Sequence, residues 1–192
     1  MQKPIRILRE EHDNILKALE VLEACAERLK KGQPVSPDTL EALIEFFRLY
    51  ADRTHHGKEE DLLFPVMIEH GFSREVGPIH CMLADHEHNR AVTREMIAAA
   101  AEFRGGNEGA GLKFARAAEE YVRALREHIQ KENLVLFVMA DNVLPVEDEP
   151  ELLAKFQEVD EKQIGAVEIG RLLRLLDSAR QDVGAGAELR SA

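Results

Sequence analysis

Two ten-residue segments of this 192-residue chain carry the same chemistry-bearing residues at the same offsets. One reads His55-x-x-Lys58-Glu59-x-x-x-Leu63-Phe64, and the other reads His128-x-x-Lys131-Glu132-x-x-x-Leu136-Phe137. An imidazole and a carboxylate four residues apart lie one turn apart on the same face of an α-helix, so both can converge on one point. Such a pair alone is a weak signal in a chain with 26 glutamates. The shared Lys, Leu and Phe turn it into an internal repeat. Two such helices supply two imidazoles and two carboxylates, a set suited to a pair of metal ions. Imidazoles bind end-on, and each carboxylate can bridge through its two oxygens.

His56 and Glu60 form a third pair, shifted by one residue. An α-helix turns ~100° per residue, so adjacent pairs do not both face inward. The register shared with Leu-Phe assigns His55 and Glu59 to the site. It leaves His56 on the helix flank or just behind the ligands, and Glu60 solvated or paired with a basic group. His12 and His86 join the set because a metal site in a helical bundle is built from facing helices. His86 is preferred to His88 because the Ile79–Met82–Leu83 stripe puts position 86 nearer the inward face. His70, before a helix-ending glycine, and His80, near a helix start, read as surface residues. The candidate metal ligands are His12, His55, Glu59, His86, His128 and Glu132.

The elements that must position them are helical almost throughout. Apolar residues recur at three, four or seven positions from 5 to 30, and Gly32 and Pro34 end that run. Ser36-Pro37 reads as a cap with proline in the first turn of a second helix, which continues to about 70. Pro65 is expected to kink its last turn, and Gly71 closes it. Gly77-Pro78 opens a third helix that ends near 105, and a fourth spans about 111–142. Tight Gly/Pro connections favour antiparallel neighbours, hence an all-α, up-down-up-down four-helix bundle over residues 1–145. Residues 146–192 read as an acidic linker, short helices over 151–159 and 164–176, and a disordered tail from 181. This extension shows no chemistry of its own and is expected to cover one end of the bundle. Phe46, Phe47, Phe64, Phe137 and Met82 read as core, as does Tyr121, whose hydroxyl could also reach a ligand. Ala51 and Ala124, one turn before His55 and His128, read as ordinary helix-interior alanines, although residues this small could also leave a pocket above the site.

Composition bounds the rest. The net charge is −11, from 25 basic and 36 acidic residues, which argues against nucleic acid as a partner. No apolar run nears the ~20 residues that span a bilayer. The first residues lack the apolar core of a signal peptide, and Cys25 and Cys81 are too few for a disulfide framework. The expectation is a cytoplasmic protein without membrane association.

Residues 4–142 resemble the hemerythrin-like family, also called the HHE cation-binding domain. The resemblance rests on the early His12, His55-x-x-x-Glu59 running into Leu-Phe-Pro, His86 after a Gly-Pro-Ile start, and His128-x-x-x-Glu132. It implies a non-haem di-iron centre in a four-helix bundle. His12 and His55 would bind one iron, His86 and His128 the other, and Glu59 and Glu132 would bridge. Manganese or zinc would also suit this ligand set. The oxygen-carrying members place a further histidine one turn before the equivalent of His86, where this chain has Met82. Four imidazoles rather than five argue against reversible oxygen transport and for reactivity with dioxygen, peroxide or nitric oxide, in sensing, scavenging or stress protection. A ferritin-like iron store is disfavoured because no Glu-x-x-His pair occurs. An iron- or redox-responsive regulator without turnover is the alternative.

Overall fold

The computed structural model describes residues 3–107 and 109–184. Helix α1 (Pro4–Lys30) starts with proline in its first turn, where a missing N–H leaves no bond unmade. It buries Ile5, Leu8, His12, Ile15, Leu19, Leu22, Ala26 and Leu29, at alternating three- and four-residue steps. Gly32, at φ +65°, turns the chain out of it. Ser36 caps α2 (Pro37–Phe46), its Oγ accepting from the Asp38 N–H at 3.2 Å.

The second rod is not one α-helix. It passes from α2 through π-helical stretches Phe47–His56 and Glu59–Leu63 into α3 (Phe64–Glu69). Pro65 has no N–H to donate to the preceding turn, and the widened stretch Glu59–Leu63 lies directly upstream of it. The irregularity expected in the last turn therefore sits earlier, alongside the histidines. Gly77, at φ +80°, precedes α4 (Pro78–Arg104). The fourth rod runs from α5 (Gly109–Lys131) through a π-helical stretch, Glu132–Leu136, into α6 (Phe137–Val143). Among the described residues there is no strand, and no helix is long and apolar enough to cross a membrane.

Ion pairs fix how neighbouring rods run. Glu23 meets Arg126 and Lys30 meets Glu119, so α1 and α5 are antiparallel. Asp85 meets Lys131 and Glu102 meets Lys113, which sets α4 antiparallel to α5. Asp38 meets Arg104 and Asp52 meets Arg90, which does the same for the second rod and α4.

The C-terminal segment departs from expectation. Helix α7 (Glu149–Val159) buries Leu152 and Phe156 against Ile5, Leu8, Leu63 and Phe64. A π-helical stretch, Asp160–Ile164, leads to α8 (Ala166–Val183), which buries Leu172, Leu176 and Ala179 in the core beside α1 and α2. Arg171 holds Glu45 at 2.7 Å and Thr39 holds Asp182 at 3.2 Å. The segment is a strap along the side of the rods rather than a cover over one end, because both of its helices carry an apolar stripe. Helix extends to Val183, past the start expected for a disordered tail; residues 185–192 of that tail lie outside the described residues.

Two apolar clusters fill the interior. One holds Leu8, Phe64, Met82 and Phe137; the other holds Ile15, Ala51, Val92 and Leu125. On every rod the candidate ligands lie between a residue of the first cluster and one of the second, so they form a polar layer enclosed by apolar side chains.

Candidate metal centre

The six side chains singled out from sequence meet in this layer, and a seventh meets them. His12, His55, His56, His86 and His128 are each at most 2% exposed, and Glu59 and Glu132 are fully buried. Their ligand atoms form two groups, each within 4.8 Å: His12, His55, Glu59 and Glu132, and His56, Glu59, His86 and His128. Glu59 belongs to both, 3.5 Å from His55 Nε2 through one oxygen and 3.5 Å from His86 Nε2 through the other. Glu132 Oε2 lies 3.1 Å from His12 Nε2 and 3.2 Å from His128 Nε2.

His56 corrects the sequence reading. It is buried and stacked on His86, with ring centroids 3.9 Å apart, not placed on the flank. The exclusion of adjacent inward residues assumed α-helical turns. In a π-helical stretch the turn widens to about 4.4 residues, so neighbouring side chains diverge less and two can straddle the inward direction. Five imidazoles therefore face the layer, not four. Met82, where a fifth was missed, is core. No sequence signal marked it: Pro65 acts four residues back, at Asp61, and the matching stretch Glu132–Leu136 has no proline directly after it.

Each imidazole is aimed by its outer nitrogen. Nδ1 of His12 lies 3.2 Å from Asn133 Oδ1, and that of His55 2.9 Å from Glu11. For His56 the acceptor is Asp52 at 3.4 Å, for His86 Glu60 at 2.6 Å and for His128 Asp85 at 3.4 Å. With Nδ1–H donating outward, each Nε2 presents its lone pair inward. Every acceptor is in turn held by a cation. Arg9 bonds Asn133, Lys58 bonds Glu11, Arg90 bonds both Asp52 and Glu60, and Lys131 bonds Asp85. This explains the repeated lysine: Lys58 and Lys131, three residues after His55 and His128, each fix the carboxylate that orients that histidine. Glu60 is paired with a basic group, as expected.

The inward atoms are the ones left without partners. Nε2 of His12, His55 and His56 and both oxygens of Glu59 and Glu132 are buried with no hydrogen bond. His86 and His128 turn their Nε2 atoms toward each other at 3.1 Å. Unpaired buried acceptors are costly, so the layer calls for a cation between them. Ligands ~2.1 Å from one cation, at right angles, sit about 3 Å apart, so these spacings fit cations between them. Burial pushes His56 down to about 4 and lowers His55; burial, with the neighbouring imidazoles, holds His86 well below its ordinary value. These three are thus neutral, the form that binds metal. Burial and the adjacent Glu132 raise Glu59 well above the carboxylate range. Burial opposes the charged form of His128, but Glu132 and Asp85 outweigh it and raise the imidazole to about 9. Without a cation, the protonated His128 offsets the charge of Glu132, and the upward shift of Glu59 favours its neutral form.

The remaining histidines stay outside. His70 and His80 are exposed, and exposed His88 pairs with Glu120 at 3.0 Å. Phe46, Phe47, Phe64 and Phe137 are buried, and Tyr121 packs on Phe47 with ring centroids 4.9 Å apart. Space beside the layer does not come from Ala51 or Ala124: a cavity of about 180 Å³ is lined instead by residues including His56, His86, Asn89 and Tyr121.

No curated protein and no solved structure matches the chain. Residues 3–140 match the family model for the hemerythrin HHE cation binding domain, a span that contains all seven converging side chains. The chain belongs to this hemerythrin HHE family of cation-binding domains, and its buried His/Glu layer fits metal binding.

Proposed function

We propose that the four rods form an up-down-up-down bundle around a non-haem di-iron centre that meets dioxygen, peroxide or nitric oxide, in sensing, scavenging or stress protection. The observation that carries this is the set of buried, unpartnered inward atoms in two groups sharing Glu59. His12 and His55 would hold one ion, and His56, His86 and His128 the other, with Glu59 and Glu132 reaching both. A bound ferrous pair supplies two electrons to a small oxidant. The chain does the rest. Its outer carboxylates keep the imidazoles oriented, Phe64 and Phe137 help exclude water, and the two glutamates balance the added charge. Five inward imidazoles remove the ligand-count argument against reversible oxygen binding. Iron rather than manganese or zinc, and a cytoplasmic setting in accord with the free thiols of Cys25 and Cys81, are part of the same proposal.

Anaerobic loading with ferrous iron should give two irons per chain, and admitting oxygen should then develop near-ultraviolet ferric absorption. Less than two irons overturns the reading, and a large excess indicates storage.

One observation favours a regulatory second reading. Lys58 is fully buried and holds both Glu11, which aims His55, and Asp160 on the strap. Metal loss would then loosen the strap. Equal protease resistance across residues 144–165 with and without metal sinks that version.

A further inference from the structure

The cavity beside the His/Glu layer lies between the second rod and α4. His56 and His86 line its inner end, Asn89, Tyr121 and the Asp52 carboxylate paired with Arg90 wall it, and the exposed Arg48 and Arg94 stand at its mouth. At about 180 Å³ it is below the ~300–1,000 Å³ of ordinary small-molecule sites, so it suits a guest of a few heavy atoms.

Its wall holds a buried side-chain amide that has no partner. Asn89 is 2% exposed, yet neither Nδ2 nor Oδ1 has a partner. Thr93 beside it donates its hydroxyl to the Asn89 carbonyl at 2.9 Å. A buried amide left idle is unfavourable, so its retention here points to a guest that uses it. Charge defines the guest. Arg90 is engaged by Asp52, Glu60 and Glu87, whereas Arg48 and Arg94 have no ion pair among the described residues. In a chain of net charge −11, two uncompensated guanidinium groups at one mouth focus anions inward.

We propose that this cavity binds a small oxyanion of three or four heavy atoms, which accepts a hydrogen bond from Asn89 Nδ2 and is drawn in by Arg48 and Arg94. The protein alone holds it, next to the metal centre. Its role as a holding position for a small reactant rests on the metal-centre reading, whereas the binding itself does not.

Nitrate, a poor metal ligand, is the probe. It would be titrated into isotopically labelled protein, metal-free and zinc-loaded, while the backbone amides of residues 89–94 and the Asn89 side-chain amide are followed by magnetic resonance. Saturable shifts are expected in both forms. Asn89→Asp, which keeps the shape and adds repulsion, should weaken binding at least tenfold, as should Asn89→Leu, with zinc content unchanged. The double variant Arg48→Gln, Arg94→Gln should weaken it several-fold and flatten its salt dependence, while Arg116→Gln on the remote surface should not. Absence of shifts at these amides overturns the proposal. So does binding confined to the zinc form that survives Asn89→Asp, since that is direct coordination. If the chain binds nitrate at Asn89 but takes up no metal, the anion site stands and the metal reading falls. If metal loads and nitrate shifts nothing, the anion site falls alone.

Discussion

An imidazole becomes a ligand when its far nitrogen is occupied, and in this chain every inward histidine has that nitrogen at a hydrogen-bond acceptor. The contrast between His56 and His88 tests the assignment. His56→Ala should lower metal content or affinity at least tenfold, and His88→Ala should leave both unchanged, as read by metal analysis after dialysis. Glu11→Gln keeps every ligand but removes the charge that aims His55, and should weaken metal binding about 10–100-fold. Protons report the same chemistry. His128, raised to about 9, is protonated in the metal-free protein at pH 7, and burial with the adjacent Glu132 shifts Glu59 in the same sense. Metal uptake must displace the His128 proton, so calorimetry in buffers of different ionisation enthalpy should show at least one proton released per chain. No release would mean that His128 does not ligate. Of the residues involved, the paired segments were legible in sequence because spacing along one helix is a local property. His56 was not, because its direction depends on a π-helical turn that its own spacing does not announce.

At the scale of elements, the strap and the widened turns carry the argument. Phe156 is fully buried and lies under Lys58, whose Nζ stands 5.8 Å from the ring centroid. Phe156→Ala should therefore cost about 3–5 kcal/mol in denaturant unfolding, while Leu134→Ala, at a position 65% exposed, should stay within about 0.5 kcal/mol. Equal effects would mean that α7 does not pack as described. Deleting Gly57, between the two π-helical stretches, breaks the four-residue step from His55 to Glu59. Metal content should drop while far-ultraviolet circular dichroism keeps its helical signal.

For the molecule as a whole, a polar layer inside an apolar interior ties stability to its occupant. Chelation should lower the thermal midpoint, and the gap between loaded and chelated protein should widen as pH rises. His128 shifts from 6.5 to about 9 on folding without metal. The stability it contributes is fully present below about 6.5 and lost as pH climbs to about 9, and Glu59, also raised, acts in the same direction. Metal-loaded protein does not depend on those protons. A gap that stays constant between pH 6.5 and 9 would remove the coupling.

Sequence alone determined the helical class, the approximate ends of the four rods and six of the seven converging side chains. Those features follow from periodicity, capping residues and a repeated motif, all readable over a few turns of chain. Tertiary structure decided the inward turn of His56, the acceptors that aim each imidazole and the course of the strap along α1 and α2. Each of these is a contact between residues far apart in the chain, or a local geometry tolerated only because the packing around it closes, and neither leaves a mark on sequence spacing.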